Sequence, residues 1–319
     1  MEKAIFLPDL SLLSDLKGLC PSSIVIEERN LNDAFVSAIT TEFPEASLHV
    51  IVNTFLGSDL PRSILEESKL VEASERVVEK DWYKGVCPNS SVLREYRFER
   101  IEKISSNAYV DCVWLDFLHY PTYWMLPEPD LFDTCYCERC IKAFEKEKLF
   151  GDQLPTKLSD LVDSIDGQYY IEWLQFKCEV ISSFVKEARS ILDPSKRMGV
   201  FAVPWKDKEY SSAVTRLLGQ DFSLISAFTD YISPQLAVSL LGKGSEWIKD
   251  MIEYFQVFGD KIVPSIIFNG DLESLNLDDL TSIVKLVNHS SLGCILRDFY
   301  DLKNYENATN LIKQDFCKS

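Results

Sequence analysis

Basic residues are in deficit. Lys and Arg number 33 against 50 Asp and Glu in 319 residues, a formal net charge of −17. A surface of that sign repels nucleic-acid phosphates and anionic lipid, which excludes nucleic acid as a partner and suits a neutral ligand better. Long apolar runs are also lacking. None approaches the roughly twenty residues that a membrane-spanning helix needs, so no membrane partner is expected. The N-terminal MEKAIFLPDL has one Lys and only a brief apolar run before Pro8 and Asp9, which is not the plan of a signal peptide. Glycine is missing from LPDLSLL, the stretch after the first apolar run, so the phosphate-binding turn of a dinucleotide fold is absent there. No Pro-, Gly- or Ser-rich linker divides the chain, and a single domain over residues 1–319 is expected.

What is present is an ordinary globular composition, 46% hydrophobic and 26% charged. Nine cysteines without a secretion signal point to reduced thiols in a cytoplasmic protein, with a metal site favoured over a disulfide framework. The N-x-S/T triplets at Asn89, Asn288 and Asn307 then carry no meaning for glycosylation. A homo-oligomer is compatible with this composition.

Short β-rich apolar runs alternate with segments of helical period. The expected strands are Lys3–Leu7, Ser23–Glu27, Leu48–Thr54, Val110–Phe117, Met198–Val203, Asp230–Gln235, Ile262–Phe268 and Gly293–Arg297. Between them helices are expected at Leu31–Phe43, Ser63–Val77, from Ser90 or Ser91 to Ser105, and at Trp247–Phe258, with others at Leu280–Asn288 and Asn304–Lys313. After the fourth strand three helical segments follow one another, Arg139–Lys148, Lys157–Ile165 and Tyr169–Leu192. Eight mostly apolar strands with helical connections imply a parallel sheet buried on both faces. Closed on itself, that sheet is an α/β fold of the (β/α)8 TIM-barrel type, with a helical insertion spanning residues 130–195 after strand four.

Cys135-Tyr136-Cys137-Glu138-Arg139-Cys140 supplies three thiols within six residues, a spacing that tight turns can aim at one point. Cys87, in a loop on the approach to strand four, is the expected fourth ligand. Four protein ligands leave no open position, so the expected cofactor is a structural zinc; free thiols or a disulfide are the alternatives. Cys112 and Cys294 fall inside strands, and Cys20, Cys178 and Cys317 are scattered; these five read as core or surface thiols.

Cys87-Pro88-Asn89-Ser90 opening a helix, then a strand with an acidic end, then Cys-Tyr-Cys-x-x-Cys-x-x-x-Phe at 135–144, resembles the zinc-containing β-galactosidases of glycoside hydrolase family forty-two. The resemblance implies a zinc-binding role for the four cysteines and a catalytic acid in an Asn-Glu pair at the strand end. This chain departs there, reading Trp114-Leu115-Asp116-Phe117-Leu118-His119-Tyr120-Pro121. That run is more similar to uncharacterised glycosyl-hydrolase-like barrels whose fourth strand ends in Asp-x-x-Arg-Tyr-Pro, with His119 in place of the Arg. Gly219-Gln220-Asp221-Phe222, Ser233-Pro234 and Glu246-Trp247-Ile248 also resemble that group.

Barrel active sites lie at the C-terminal ends of the strands. Reading those ends gives Glu27, Glu28 and Arg29, then Asn53, then Asp116, His119 and Tyr120. Trp205 and Asp207 follow strand five, Gln235 ends strand six, Asn269 and Asp271 follow strand seven, and Arg297 and Asp298 close strand eight. Glycoside hydrolysis calls on two carboxyl groups, about 5–5.5 Å apart for retention and about 6.5–9.5 Å for inversion. Asp116 is the first candidate, because a carboxyl ending an apolar strand is costly to bury unless it is used or paired. Pairing with Arg297 or a hydrogen bond inside the barrel is the competing role. Asp298 is the preferred second carboxylate, since strands four and eight face each other across a barrel; Glu27, Glu28 and Asp207 compete, and only one of Glu27 and Glu28 can point inward from a strand. His119 is a candidate acid or base. Asn53, Tyr120, Gln235 and Arg297 are candidate polar contacts to substrate, and Trp124 and Trp205 are candidate stacking surfaces for sugar rings. His49 and His289 read as structural.

The expected function is a glycoside hydrolase acting on a carbohydrate, with Asp116 as catalytic carboxylate and the zinc bracing the neighbouring loops. A non-catalytic carbohydrate-binding barrel is the rival reading, and a barrel enzyme of non-glycosidic chemistry is the second.

Overall fold

The computed structural model describes residues 2–268, 282, 283, 285, 286, 293–298, 300, 302, 310, 312 and 313. Eight parallel strands close into a barrel: β1 (Lys3–Phe6), β2 (Ser23–Glu27), β3 (Ser47–Asn53), β4 (Val110–Asp116), β5 (Arg197–Ala202), β6 (Tyr231–Ala237), β7 (Ser265–Ile267) and β8 (Cys294–Arg297). Each strand pairs with its neighbours in chain order, and β8 pairs with β1 to complete the ring. The expected α/β (β/α)8 barrel is therefore the fold. Strand seven is shorter than expected. Pro264 has no N–H to give to the ladder, so regular pairing begins only at Ser265.

Although both faces of the sheet are buried, the side chains still alternate. Ile24, Ile26, Val50, Val52, Val113, Leu115, Met198, Val200 and Ile266 pack outward in the layer shared with the helices. Ala4, Phe6, Val25, Ile51, Cys112, Trp114, Phe201 and Ile295 form a separate cluster within the barrel. Period-two geometry assigns the residues two steps further on to the same inner face, which selects Glu27, Asn53, Asp116 and Arg297. Trp114 fills the middle, stacked at 5.1 Å on Phe201 and at 5.6 Å on Tyr231. Beneath it His49 accepts a hydrogen bond from Trp114 Nε1 at 3.2 Å.

The outer helices include α1 (Asp33–Glu42), α2 (Arg62–Glu67), α3 (Ser91–Ser105), α4 (Glu138–Glu147), α5 (Leu158–Gln168) and α6 (Tyr170–Ile191). The last three lie between β4 and β5, the helical insertion foreseen. Helix α2 stops ten residues short of the expected Val77. Beyond it Glu72 accepts from Ser74 N at 2.8 Å, while Val71 O and Ala73 N bond to Tyr136 N and Asp133 O. The segment thus spends its backbone groups on the cysteine loop and cannot continue the helix ladder. Most of the two helices expected at Leu280–Asn288 and Asn304–Lys313 lies outside the described residues.

Gly199 is where the inner packing is tightest, for a Cβ there would meet the Trp114 ring at 2.3 Å. Gly199→Ala should destabilise the fold by roughly 2–3 kcal/mol, the usual cost of overpacking. A urea midpoint equal to that of the native chain would show that Trp114 can move aside.

Candidate active site and metal centre

The strand ends open into a cleft of ≈650 Å³. Its floor and walls include Glu27, Glu28, Arg29, Asn53, Asp59, Trp82, Asp116, Ile267, Arg297 and Asp298. Asp116 is 6% exposed and stands at the centre of a small polar group. Its Oδ1 accepts from Gln235 Nε2 at 3.1 Å and from Phe117 N at 2.8 Å, and its Oδ2 faces Arg297 Nη1 at 3.7 Å. Both competing roles foreseen for Asp116, the ion pair and the internal hydrogen bond, are thus present. Arg297 lies over the rings of Phe6 at 4.9 Å and Phe201 at 5.6 Å. Burial raises the Asp116 carboxyl above its ordinary value, opposed by the Arg297 charge and the two hydrogen bonds. Phe117 and Asp298, the residues just after β4 and β8, both take left-handed backbone, with φ of 52° and 58°. Asp adopts that conformation readily, whereas Phe does so at a cost.

The other carboxylates of the cleft are mostly tied to cations. Glu27 pairs with Arg29 and Glu28 with Arg100. Asp59 receives two bonds from Arg97, at 2.6 and 3.1 Å, and one from Asn53 at 3.4 Å. Asp298 accepts from Tyr300 Oη at 2.6 Å and makes no ion pair among the described residues. Both Glu27 and Glu28 line the cleft, which corrects the expectation that only one could. Glu28 has left the strand and opens a 3-10 turn, so the alternation no longer governs it.

The remaining candidates lie elsewhere. His119 is buried behind the rim, and its Nδ1 is 2.8 Å from the Tyr120 carbonyl, an acceptor only, so Nδ1 carries the proton. Tyr120 is buried beside the cysteines. Trp124 and Trp205 are buried together in an apolar cluster with Val203, Leu217 and Leu241. Asp207 accepts from Tyr254 Oη at 2.5 Å and lines a separate pocket with Trp205. Gln235 reaches the site through Asp116. Asn269, Asp271 and His289 lie outside the described residues.

Sequence reasoning passed over Trp82, the cleft's half-exposed aromatic. It sits at the turn joining two short antiparallel strands, Glu79–Lys80 and Tyr83–Lys84, and meets Tyr83, Phe117 and Tyr123 edge-on at 6.1, 5.8 and 6.2 Å. It also passed over Arg97, fully buried in α3, whose signal was available: Leu93, Arg97 and Ile101 share one apolar stripe at spacing four.

Cys87, Cys135, Cys137 and Cys140 are buried, and their Sγ atoms all lie within 4.8 Å of one another. Cys87 Sγ is 3.6 Å from that of Cys137 and 3.5 Å from that of Cys140. Tetrahedral zinc with bonds of about 2.3 Å requires sulfur separations near 3.8 Å, so the four thiols lie close enough together to hold a metal ion of that kind. Local structure sets them there. Cys87 N donates to Ser68 O at 2.9 Å, Tyr136 N to Val71 O at 2.9 Å, and Cys137 caps α4, whose first turn carries Cys140. Among the other cysteines, Cys112, Cys178 and Cys294 are buried free thiols. Cys20, expected as a free thiol, is disulfide-bonded, and Cys317 lies outside the described residues. An isolated cysteine far from the others carries no spacing signal from which that bond could be read.

No family model matches the chain, and no curated protein matches it in sequence. Solved structures do match it. The PgaB (BpsB) glycoside hydrolase domain from Bordetella bronchiseptica superposes with a TM-score of 0.69 at 12% identity, over 100% of both chains. A β-galactosidase from the psychrophilic Marinomonas ef1 gives 0.64 at 8% identity, covering 93% of this chain and 54% of that one. One from Rahnella sp. R3 gives 0.60 at 10% identity, covering 93% and 50%. The fold is one that glycoside hydrolases use. The chain spans about half the length of these galactosidases, and at such identities the likeness is one of barrel architecture. Among the described residues no helix is long and apolar enough to cross a membrane.

The two buried histidines make stability depend on pH. Burial pushes His49 down to about 4, against the pull of Glu2, and burial pushes His119 down to about 4 as well. Free histidine titrates near 6.5, so the unfolded chain binds protons that the folded one refuses. This contribution is complete above about pH 6.5 and is lost as the pH falls towards about 4, by about 2 kcal/mol per histidine at pH 5. The unfolding free energy should therefore drop between pH 7 and 5, with a shallower slope in His119→Gln. A flat profile would show that neither ring is held neutral.

Proposed function

We propose that this protein is a glycoside hydrolase acting on a carbohydrate bound in the cleft, with Asp116 as proton donor and Asp298 as the second carboxylate. The observation that carries the reading is the buried Asp116 carboxyl at the end of β4, raised by its burial and opening on a cleft of ≈650 Å³. A carboxyl raised in this way holds a proton more readily than an exposed one, which suits a donor to the glycosidic oxygen. Gln235 and Arg297 then stabilise the carboxylate left behind. Asp298, free of ion pairing among the described residues, faces the positive charge that develops on the sugar ring. The left-handed backbone at Phe117 and Asp298 supports the assignment, since such conformations gather at functional sites. Asn53 would bond sugar hydroxyls, and Trp82 would stack on a ring. Trp124 and Trp205 would support the rim from behind, and His119 would hold Tyr120.

Asp116→Asn is expected to lower kcat/KM by about 100-fold or more on aryl glycosides, most severely where the leaving group is poor. Asp298→Asn should be comparably impaired, but without that dependence on leaving group. Unchanged turnover in both variants would overturn the assignment, and sugar binding without turnover in the native chain would favour a non-catalytic barrel.

The second part of the proposal is that Cys87, Cys135, Cys137 and Cys140 hold a structural zinc. Zinc so bound supplies folding free energy and offers no open position to a substrate. Protein purified without chelator should carry about one zinc per chain and lose thermal stability when the metal is stripped, whereas Cys137→Ser should carry little. Metal analysis showing far less in the native chain would sink this part.

A further inference from the structure

Among the described residues, four buried side-chain atoms around the cysteines have no hydrogen-bond partner: Tyr120 Oη, Thr134 Oγ1, Trp173 Nε1 and Lys177 Nζ. All four atoms can donate. Thr134 adjoins Cys135. Trp173 stacks at 5.4 Å on Tyr136, the residue between Cys135 and Cys137. One turn further along α6, Lys177 sets its ammonium 4.9 Å from the centre of the Tyr120 ring. Lys177 is fully buried, and the nearest carboxylate, Asp133 Oδ1, is 4.0 Å away on a side chain that is 30% exposed. Asp133 is therefore too far for a hydrogen bond, and its exposure to solvent weakens the charge compensation it offers.

A buried ammonium with no hydrogen bond persists only where negative charge compensates it. Four neutral thiols give none. The same four sulfurs around a divalent metal are thiolates, and the centre is formally dianionic. We propose that Lys177 is the counter-charge of a metal–tetrathiolate centre, with Tyr120 forming the wall between them and its hydroxyl donating towards the sulfurs. The inference rests on the zinc reading and adds what that reading lacks, a partner for the charge the metal brings. It also ties the centre to the cleft, because Tyr120 ends the short loop that begins at Asp116, and its backbone N is fastened to Leu218 O at 2.9 Å.

The test uses the full chain loaded with zinc(II) alone, and reads metal retention against a competing chelator together with thermal stability with and without metal. Lys177→Met, which keeps the volume and removes the charge, should release zinc at about tenfold lower chelator concentration or less, as altered outer-shell partners do. Its metal-free form should be at least as stable as the native metal-free form, because a buried and poorly compensated charge is gone. Asp133→Asn should retain zinc within about twofold of the native chain. Equal losses in Lys177→Met and Asp133→Asn would reduce Lys177 to a structural ion pair and overturn the proposal, as would native retention in Lys177→Met. Should Lys177→Met fail to fold, Tyr120→Phe carries the test: a tenfold loss supports the proposal and native retention overturns it. A native chain that binds no zinc at all would overturn the metal reading itself, whereas a zinc-loaded chain indifferent to Lys177 overturns only this one.

Discussion

Closure of the sheet is the constraint on which everything else depends. Eight strands joined edge to edge leave no free edge and one shared axis, so inward side chains from opposite strands must meet there. Over most of the barrel's height the meeting is apolar, with Trp114 pressed between Phe201 and Tyr231. At the C-terminal end the same geometry brings a carboxyl from β4 to a guanidinium from β8 and an amide from β6. Asp116 is thus buried by the packing below it and held by groups that only closure can deliver.

Much of this was legible in the sequence, for identifiable reasons. The strands are short apolar runs bounded by turn residues, and a parallel barrel buries both their faces, so hydrophobicity marks them directly. Strand-end polarity marked Asp116, Asn53, Arg297 and Asp298, because a polar residue closing an apolar run has few other places to be. The cysteines were legible by spacing, and Cys87 by its place in a loop preceding the same strand.

Other features left an ambiguous trace. An aromatic residue after a strand reads the same whether it stacks on a ligand or on its own neighbours, and Trp124 and Trp205 pack inward with Leu217 and Leu241. Trp82 sits in a connection with little local periodicity, so nothing set it apart from a surface residue. Ser63–Val77 has helical spacing, but its second half is claimed by backbone bonds to Asp133 and Tyr136, more than fifty residues along the chain. Local pattern cannot register a partner that distant.

Helix α3 carries one more implication. Its N-cap, Ser90, follows Cys87 closely, and Ser90 N bonds to Cys87 O at 3.1 Å. Along its length it bears Arg97 and Arg100, whose guanidinium groups grip Asp59 and Glu28 in the cleft wall. Fifteen helical residues make a stiff rod of roughly 22 Å. Rigid struts pass displacement on instead of absorbing it, so the thiol cluster and the cleft wall share a single mechanical member. A loop above the cleft can shift without moving that rod, whereas a shift at the rod's anchorage is felt at the cleft wall.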